Sequence, residues 1–119
     1  MKIYFCHSMD MDYQKELYEP IKNSKIYDLH EIILSHDEPN EVINSKEIIK
    51  GCSLVVAEVS YPSVEVENEL AWAGEYGVPI ICIHKKGTEV SASLSAVAKM
   101  ILEYENFGDL IKQSSKYLK

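Results

Sequence analysis

The sequence contains no arginine: all twelve basic residues are lysine, against nineteen acidic residues, and the formal net charge is −7. Any phosphate site in this chain therefore lacks the planar guanidinium group that binds two phosphate oxygens at once. Such a site would depend on lysine, hydroxyl groups and backbone N–H groups. The acidic balance also argues against nucleic acids and anionic membrane surfaces as partners.

Long apolar runs and regularly spaced cysteines are missing as well. No run reaches membrane-spanning length, and the apolar run in the opening MKIYFCHSMD is too short for a signal peptide. Cys6, Cys52 and Cys82 are odd in number and lack the spacing of metal ligands, and the four histidines are scattered. We expect reduced cysteines in a cytoplasmic protein, with no metal site and no cofactor.

The chain does have an alternation of strand-like and helix-like segments from end to end. Its 119 residues, 46% of them apolar, suffice for one core and not for two, so we expect a single domain over residues 1–119. Apolar runs rich in β-formers predict five strands at Lys2–Cys6, Tyr27–Leu34, Ser53–Val59, Pro79–His84 and Ile101–Tyr104. Helical periodicity predicts helices at Tyr13–Ile21 (kinked or ended early by Pro20), Glu41–Lys50, Val64–Tyr76, Ala92–Met100 and Asn106–Leu118.

This order predicts an α/β fold, a doubly wound five-stranded parallel sheet of the Rossmann or flavodoxin-like kind with helices on both faces. In such sheets, ligands bind outside the carboxyl ends of the strands. Three loops fall there, and we expect function to lie in them: His7–Asp12, Ser60–Glu69 and Lys85–Ser91.

Four carboxylates stand at the exit of the third predicted strand: Glu58, Glu65, Glu67 and Glu69. Crowded carboxylates raise one another's pKa, which suits acid–base or nucleophilic chemistry. The alternative is a solvated first helical turn, where acidic residues favour the positive end of the helix dipole. Glu69 differs from the others because Leu70, Ala71 and Ala73 surround it, which places its carboxyl near the edge of the core.

The stretch VVAEVSYPSVEVENELAWAGEYGVPIICIHKKG resembles the nucleoside 2-deoxyribosyltransferase family. It is most similar to the branch of small enzymes that hydrolyse the N-glycosidic bond of 2'-deoxynucleoside 5'-monophosphates. The matching motifs are Val56–Val59, Ser60–Ser63, Glu69–Ala73 and Gly77–Ile80, and the opening KIYFCHS resembles the family's first strand and loop. The resemblance covers nearly the whole chain.

The resemblance implies a retaining displacement in which Glu69 attacks C1' of the sugar and water or a second base resolves the glycosyl–enzyme ester. It implies that Tyr4 orients this nucleophile, although a core aromatic on a strand is an equal alternative. Ser8 matches the loop around sugar and phosphate, and Ser63 and Ser91 match hydroxyls that contact a 5'-phosphate. Because Ser91 would come from the neighbouring subunit, a homodimer is implied. Each serine alone is also a common cap or loop residue.

The chain departs from the family pattern at three places. Glu65 and Glu67 replace loop glycines that let the backbone approach the substrate, and Ser45 replaces a family aspartate. We include Glu65 among the candidate substrate-binding residues. Met9 and Asp10 stand where arginine or glycine is common. These departures argue against tight binding of a 5'-phosphate and leave a neutral or modified nucleoside, another glycosidic substrate, or lost activity.

Two functions therefore compete at the level of sequence. The first is cleavage or transfer of the N-glycosidic bond of a nucleoside or nucleotide by a glutamate nucleophile. The second is a non-catalytic nucleotide-binding or interaction module on the same fold. A phosphorylation-receiver domain is disfavoured because His7 and Ser8 stand where it needs an acidic pair. The chain also lacks a P-loop and a dinucleotide fingerprint.

Overall fold

Five parallel strands form the centre of the molecule in this computed structural model, which describes residues 1–34, 36, 44–106, 108–109 and 112. Their spatial order is β2-β1-β3-β4-β5, which confirms the predicted doubly wound α/β fold. The central strands are apolar on both sides, as a sheet covered on two faces requires. The strands are β1 (Lys2–Cys6), β2 (Glu31–Leu34), β3 (Leu54–Glu58), β4 (Ile80–Lys85) and β5 (Met100–Tyr104).

Helices cover both faces of this sheet, each bringing apolar side chains to one of two core clusters. One face carries a π-helical turn (Gln14–Tyr18), α1 (Glu19–Lys22) and α2 (Lys25–Leu29). The other carries α3 (Ser45–Lys50), α4 (Val64–Glu75) and a 3₁₀ helix (Ala92–Ala96). Because strand side chains alternate, Ile3 and Phe5 enter the first core whereas Tyr4 and Cys6 enter the second.

The predicted strand Tyr27–Leu34 is wrong in its first half. Residues Lys25–Leu29 are helical, and β2 begins only at Glu31. Tyr27 is 37% exposed and Leu29 is 71% exposed, so neither belongs to a buried strand face. Ile26 is the residue that α2 buries, so packing of this single side chain against the core decides the local structure.

The predicted helix Ala92–Met100 is also wrong, because only a short 3₁₀ helix forms and Met100 already belongs to β5. The Ser95 hydroxyl donates a hydrogen bond to the carbonyl of Ala92 at 2.7 Å. Serine side chains that bond to the nearby backbone in this way compete with regular α-helix. The repeated serines of this segment therefore outweigh its apolar periodicity.

Pro20 does not end the helix between β1 and α2 early, because α1 continues past it to Lys22, and the kink stays a prediction. The segment begins with a wide π-helical turn and becomes α-helical at Glu19, directly before the proline. Proline has no N–H to bond to the preceding turn, so a change of helix type at this point has a direct cause.

Two predicted features lie wholly or mostly outside the described residues: the turn Asp37–Asn40 and the terminal helix Asn106–Leu118. The same holds for residues 41–43 of the predicted helix Glu41–Lys50, whose described part is α3. In the described part of the chain, no helix has the length and apolar content needed to span a membrane. The single-domain expectation stays a prediction.

Candidate functional site

The direction of strand order reverses between β1 and β3, and this is the crevice where α/β sheets of this kind bind ligands. Helix α4 follows β3 directly and packs over this region. The Ser63 hydroxyl starts α4 by accepting the backbone N–H of Val66 at 3.2 Å, an N-cap that fixes where the helix begins. Val66, Leu70 and Ala73 then face the core, which fixes the helix rotation.

That rotation buries Glu69 between α4 and the sheet. Its side chain lies in the protein with only 8% of the residue exposed, and Oε2 has no hydrogen-bond partner among the described residues. Buried polar atoms are nearly always paired, because leaving one unpaired costs about 1–3 kcal/mol. Oε2 of Glu69 is therefore a buried acceptor that remains open to a further hydrogen-bond donor.

Tyr4 lies next to the Glu69 carboxyl. It is fully buried on β1, its hydroxyl donates a hydrogen bond to Ser45 Oγ at the start of α3 at 3.2 Å, and it lies near enough to Glu69 for the two groups to change each other's pKa. A tyrosine hydroxyl has one hydrogen to donate and can also accept. When Glu69 is ionised, the Tyr4 hydrogen can turn toward Glu69 while Ser45 donates to Tyr4, which gives the carboxylate one donor. The structure thus brings together Tyr4 and Glu69, and adds Ser45 as a link that the sequence noted only as a replacement.

The protonation of Glu69 follows from these surroundings. Burial raises the pKa of its carboxyl to about 7, opposed by the hydrogen bond from Tyr4 and reinforced by the charge of Glu65 one helical turn away. Burial, and then the negative charge of Glu69, raise the pKa of the Tyr4 hydroxyl, so Tyr4 stays a hydrogen-bond donor at neutral pH. Glu69 is therefore available both as a carboxylate and as an acid near pH 7.

The thiol of Cys6 lies on the same face of β1 as Tyr4 and is uncharged at neutral pH. Burial raises its pKa well above the ordinary value, and the charge of Glu69 and the neighbouring Cys82 raise it further. All three cysteines are buried and unpaired by disulfides. A neutral thiol beside Glu69 leaves the site apolar on that side, which maintains the burial that shifts the pKa of the carboxyl.

Glu58 does not belong to this group, so the four carboxylates at the exit of β3 do not form one cluster. Glu58 points to the opposite face of the sheet, where it is 1% exposed, accepts a hydrogen bond from Tyr104 and accepts the backbone N–H of Ser60 at 2.5 Å. Glu58 therefore ties the end of β3 to the end of β5, across β4. Its role is structural.

Ser63, Ser91 and Glu67 line a groove of about 490 Å³ between α4 and the 3₁₀ helix. Tyr4, Ser8 and Glu69 are not among its lining residues. The Ser91 hydroxyl there pairs with Ser93 Oγ at 2.8 Å. Within one chain, the structure therefore separates Ser91 from Glu69.

Ser8 and Glu65 complete the predicted set. Ser8 is buried in the loop after β1, where its Oγ accepts the backbone N–H of Asp10 at 3.1 Å and thereby shapes the turn. Glu65 is exposed in the first turn of α4, with Oε2 3.3 Å from the Ser63 hydroxyl. Among the predicted substrate-binding residues, Glu65 is the one whose charge raises the pKa of Glu69.

An aromatic and histidine cluster beside the loop after β1 escaped the sequence analysis. His7 Nε2 lies 2.6 Å from the Tyr18 hydroxyl, and the His7 ring stacks on Tyr13 with 4.5 Å between the ring centroids. Burial lowers the pKa of His7 to about 4, so the imidazole is neutral at physiological pH. His7, Tyr13 and Tyr18 are too far apart in the sequence for a spacing pattern to reveal this cluster. The described residues contain no group of three or more His, Cys, Asp or Glu side chains placed to hold a metal ion.

Proteins of solved structure share the fold of this chain. No protein-family model and no curated protein sequence matches the chain. The CMP N-glycosidase BcmB of Clostridium botulinum is similar in structure, with a TM-score of 0.72 and 19% identity over 98% of this chain and 99% of that chain. A conserved protein from Enterococcus faecalis V583 has a TM-score of 0.60 and 16% identity, with 98% of each chain covered.

A signal receiver domain from Vibrio parahaemolyticus is also similar in structure, with a TM-score of 0.56 and 16% identity over 98% of this chain and 89% of that chain. One fold thus carries both an N-glycosidase and a receiver domain among these neighbours. At identities this low, the comparisons show that the chain shares the Rossmann-like α/β fold of these proteins, and its function has to be argued from its own site.

Proposed function

We propose that this protein cleaves or transfers the N-glycosidic bond of a nucleoside or nucleotide, with Glu69 as the nucleophile. The observation that carries the proposal is the buried Glu69 carboxyl at the ligand-binding crevice, whose Oε2 has no partner among the described residues. The similarity in structure to an N-glycosidase that acts on CMP supports the same class of reaction. The sequence resemblance to nucleoside 2-deoxyribosyltransferases supports it independently.

The chemistry needs an ionised carboxylate and a way to keep it in place. An oxygen of the Glu69 carboxylate attacks C1' of the sugar, while the electron pair of the C1'–N bond leaves with the base, which takes up a proton from solvent. Water, or the nitrogen of a second base, then attacks C1' and releases the carboxylate. Tyr4 acts as a positioning residue, because its hydrogen bond favours the ionised form of Glu69 and fixes its orientation.

The test is release of free base from a panel of ribonucleosides, 2'-deoxynucleosides and their 5'-monophosphates, measured by chromatography. We expect Glu69→Gln to lower kcat/KM by on the order of a thousandfold or more, as for removal of a nucleophile. Tyr4→Phe keeps the ring and removes one hydrogen bond to a charged group, for which we expect a loss of roughly tenfold to a hundredfold.

Glu75→Gln is the matched control, since it makes the same change at the exposed C-terminal end of α4, away from Glu69. It should retain activity within about threefold of the wild type, as expected for an exposed residue outside the site. Equal rates of base release by wild type and Glu69→Gln would refute Glu69 as nucleophile. No base from any substrate of the panel would refute the enzymatic function.

A non-catalytic nucleotide-binding module is the second candidate. The observation that favours it is the pair of carboxylates in the first turn of α4, Glu65 and Glu67, where the resembling family has glycines. This function predicts that a member of the same panel raises the melting temperature of the protein while its glycosidic bond stays intact. Thermal melting and chromatography on the same samples separate the two functions.

A further inference from the structure

The hydroxyl of Ser63 is already in use on both its donor and its acceptor side. Its oxygen accepts the backbone N–H of Val66 at 3.2 Å, and its hydrogen points to Glu65 Oε2 at 3.3 Å. A serine hydroxyl has only one hydrogen. While Ser63 donates this hydrogen to Glu65, it cannot donate a hydrogen bond to an anionic oxygen of a ligand.

The N-terminus of α4 would otherwise suit an anion. Helix N-termini attract phosphate because their unpaired N–H groups and the helix dipole favour negative charge. This N-terminus lies six residues before Glu69, roughly 9 Å along the helix axis. A sugar bound at Glu69 therefore has this site within reach of its substituents, and Glu65 places a carboxylate there.

The charge of Glu65 acts on the same space that the ligand of Glu69 would fill. Glu65 lies one turn before Glu69 on the same side of α4, near enough for its charge to be felt by the Glu69 carboxyl. Among the described residues, the groups of other elements that act on Glu69 are Tyr4 and Cys6 on β1, and the uncharged Ser45 on α3 is bonded to Tyr4. None of these carries a positive charge that would offset Glu65.

The two lysines at the end of β4 are positively charged, but each is already paired with a carboxylate. Lys85 Nζ donates to Glu16 at 2.6 Å and to the Tyr61 hydroxyl at 2.9 Å, and Lys86 Nζ donates to Glu105 at 2.8 Å. With no arginine in the chain, no guanidinium can compensate either. A phosphate monoester near Glu65 would thus meet like charge at a site whose serine is already engaged.

We propose, building on the N-glycosidase function argued above, that Glu65 is a specificity-determining residue that rejects a 5'-phosphate, so that the site takes an uncharged nucleoside rather than its 5'-monophosphate. Glu65 does so in two ways. Its charge repels the phosphate, and its hydrogen bond withholds the Ser63 hydroxyl. The substrate class of this chain then differs from the nucleotide named for its structural neighbour BcmB.

The experiment compares each 2'-deoxynucleoside with its own 5'-monophosphate, in the wild type and in Glu65→Gln. We expect the wild type to have the higher kcat/KM for the nucleoside. Loss of one charge a few ångströms from a phosphate changes the free energy enough to shift the ratio toward the monophosphate by on the order of tenfold to a hundredfold. Glu75→Gln, the matched control, should leave the ratio within about threefold, since Glu75 is exposed at the opposite end of α4.

The same ratio is measured in binding, so that the answer does not depend on turnover. Calorimetric dissociation constants in Glu69→Gln and in the double variant Glu65→Gln/Glu69→Gln should show the same preference for the nucleoside and the same shift. A wild type that prefers the monophosphate, a ratio unchanged by Glu65→Gln, or binding of neither ligand would overturn the inference. The first two results leave the N-glycosidase function intact if base is released; absence of any base release refutes that function instead.

Discussion

The proposed chemistry depends on a single side chain, the Glu69 carboxyl. It is buried between α4 and the sheet, one of its oxygens has no partner among the described residues, and its pKa is about 7. An ordinary glutamate is ionised and solvated at neutral pH and is a weak nucleophile. Burial removes the solvation, and the hydrogen bond from Tyr4 keeps enough of the ionised form available.

The raised pKa of Glu69 makes stability depend on pH in a predictable direction. The carboxyl binds its proton more tightly in the folded state, at about 7, than at the reference value of 4.5 that an unfolded chain would have. Below pH 4.5 the Glu69 carboxyl is protonated in both the folded and the unfolded state, so the difference in pKa does not change the free energy of unfolding. As pH rises from 4.5 through 7, ionisation favours the unfolded state, at a cost on the order of 3 kcal/mol at most.

Glu69→Gln lacks this titration and is the matched variant. We expect the free energy of unfolding of the wild type, measured with urea, to fall relative to that of Glu69→Gln between about pH 4.5 and 7 and to level off above that range. A constant difference across this range would show that the carboxyl is solvated and ordinary.

Residue roles were only partly readable from the sequence. The apolar neighbours of Glu69 indicated its burial, because they define a helix face. The contact of Tyr4 with Ser45 joins residues on β1 and α3, and the stacking of His7 on Tyr13 depends on a turn of irregular shape. Such contacts depend on how elements pack in three dimensions, which spacing along the chain does not encode.

Secondary-structure elements were predictable where burial on two faces leaves no alternative. β1, β3 and β4 are continuous apolar runs, and their predicted positions agree with the structure to within one residue at each end. α2 and the 3₁₀ helix were mispredicted because a few local contacts, such as burial of Ile26 and the bond from Ser95 to Ala92, outweigh the pattern. Glu58 was misassigned because sequence alone does not say which helix covers which face of a strand.

The start of α4 is the element on which the site depends, and its N-cap is testable. Ser63→Ala removes the acceptor for the N–H of Val66 and should lower the free energy of unfolding by about 1 kcal/mol. Ser91→Ala is the control, because Ser91 stands at the same position of the 3₁₀ helix without a side-chain capping bond. We expect its effect to be within about 0.5 kcal/mol, as for a surface substitution. Equal effects of the two changes in urea unfolding would contradict this assignment.

For the whole molecule, the homodimer stays a prediction. Ser91 lies in the groove between α4 and the 3₁₀ helix, apart from Glu69 of the same chain, so it can serve that carboxylate only from another subunit. We expect sedimentation equilibrium to give a dimer. A monomer would exclude this role of Ser91.

The most direct test of the account is to trap the sugar on Glu69. A nucleoside with fluorine at C2' destabilises the cation-like transition states and slows hydrolysis of the glycosyl–enzyme ester, so that the ester accumulates. Peptide mass spectrometry of the quenched reaction should find the sugar on the peptide that contains Glu69, and no adduct in Glu69→Gln. Release of base by the wild type with the sugar on another residue, or with the same adduct in the variant, would contradict the account.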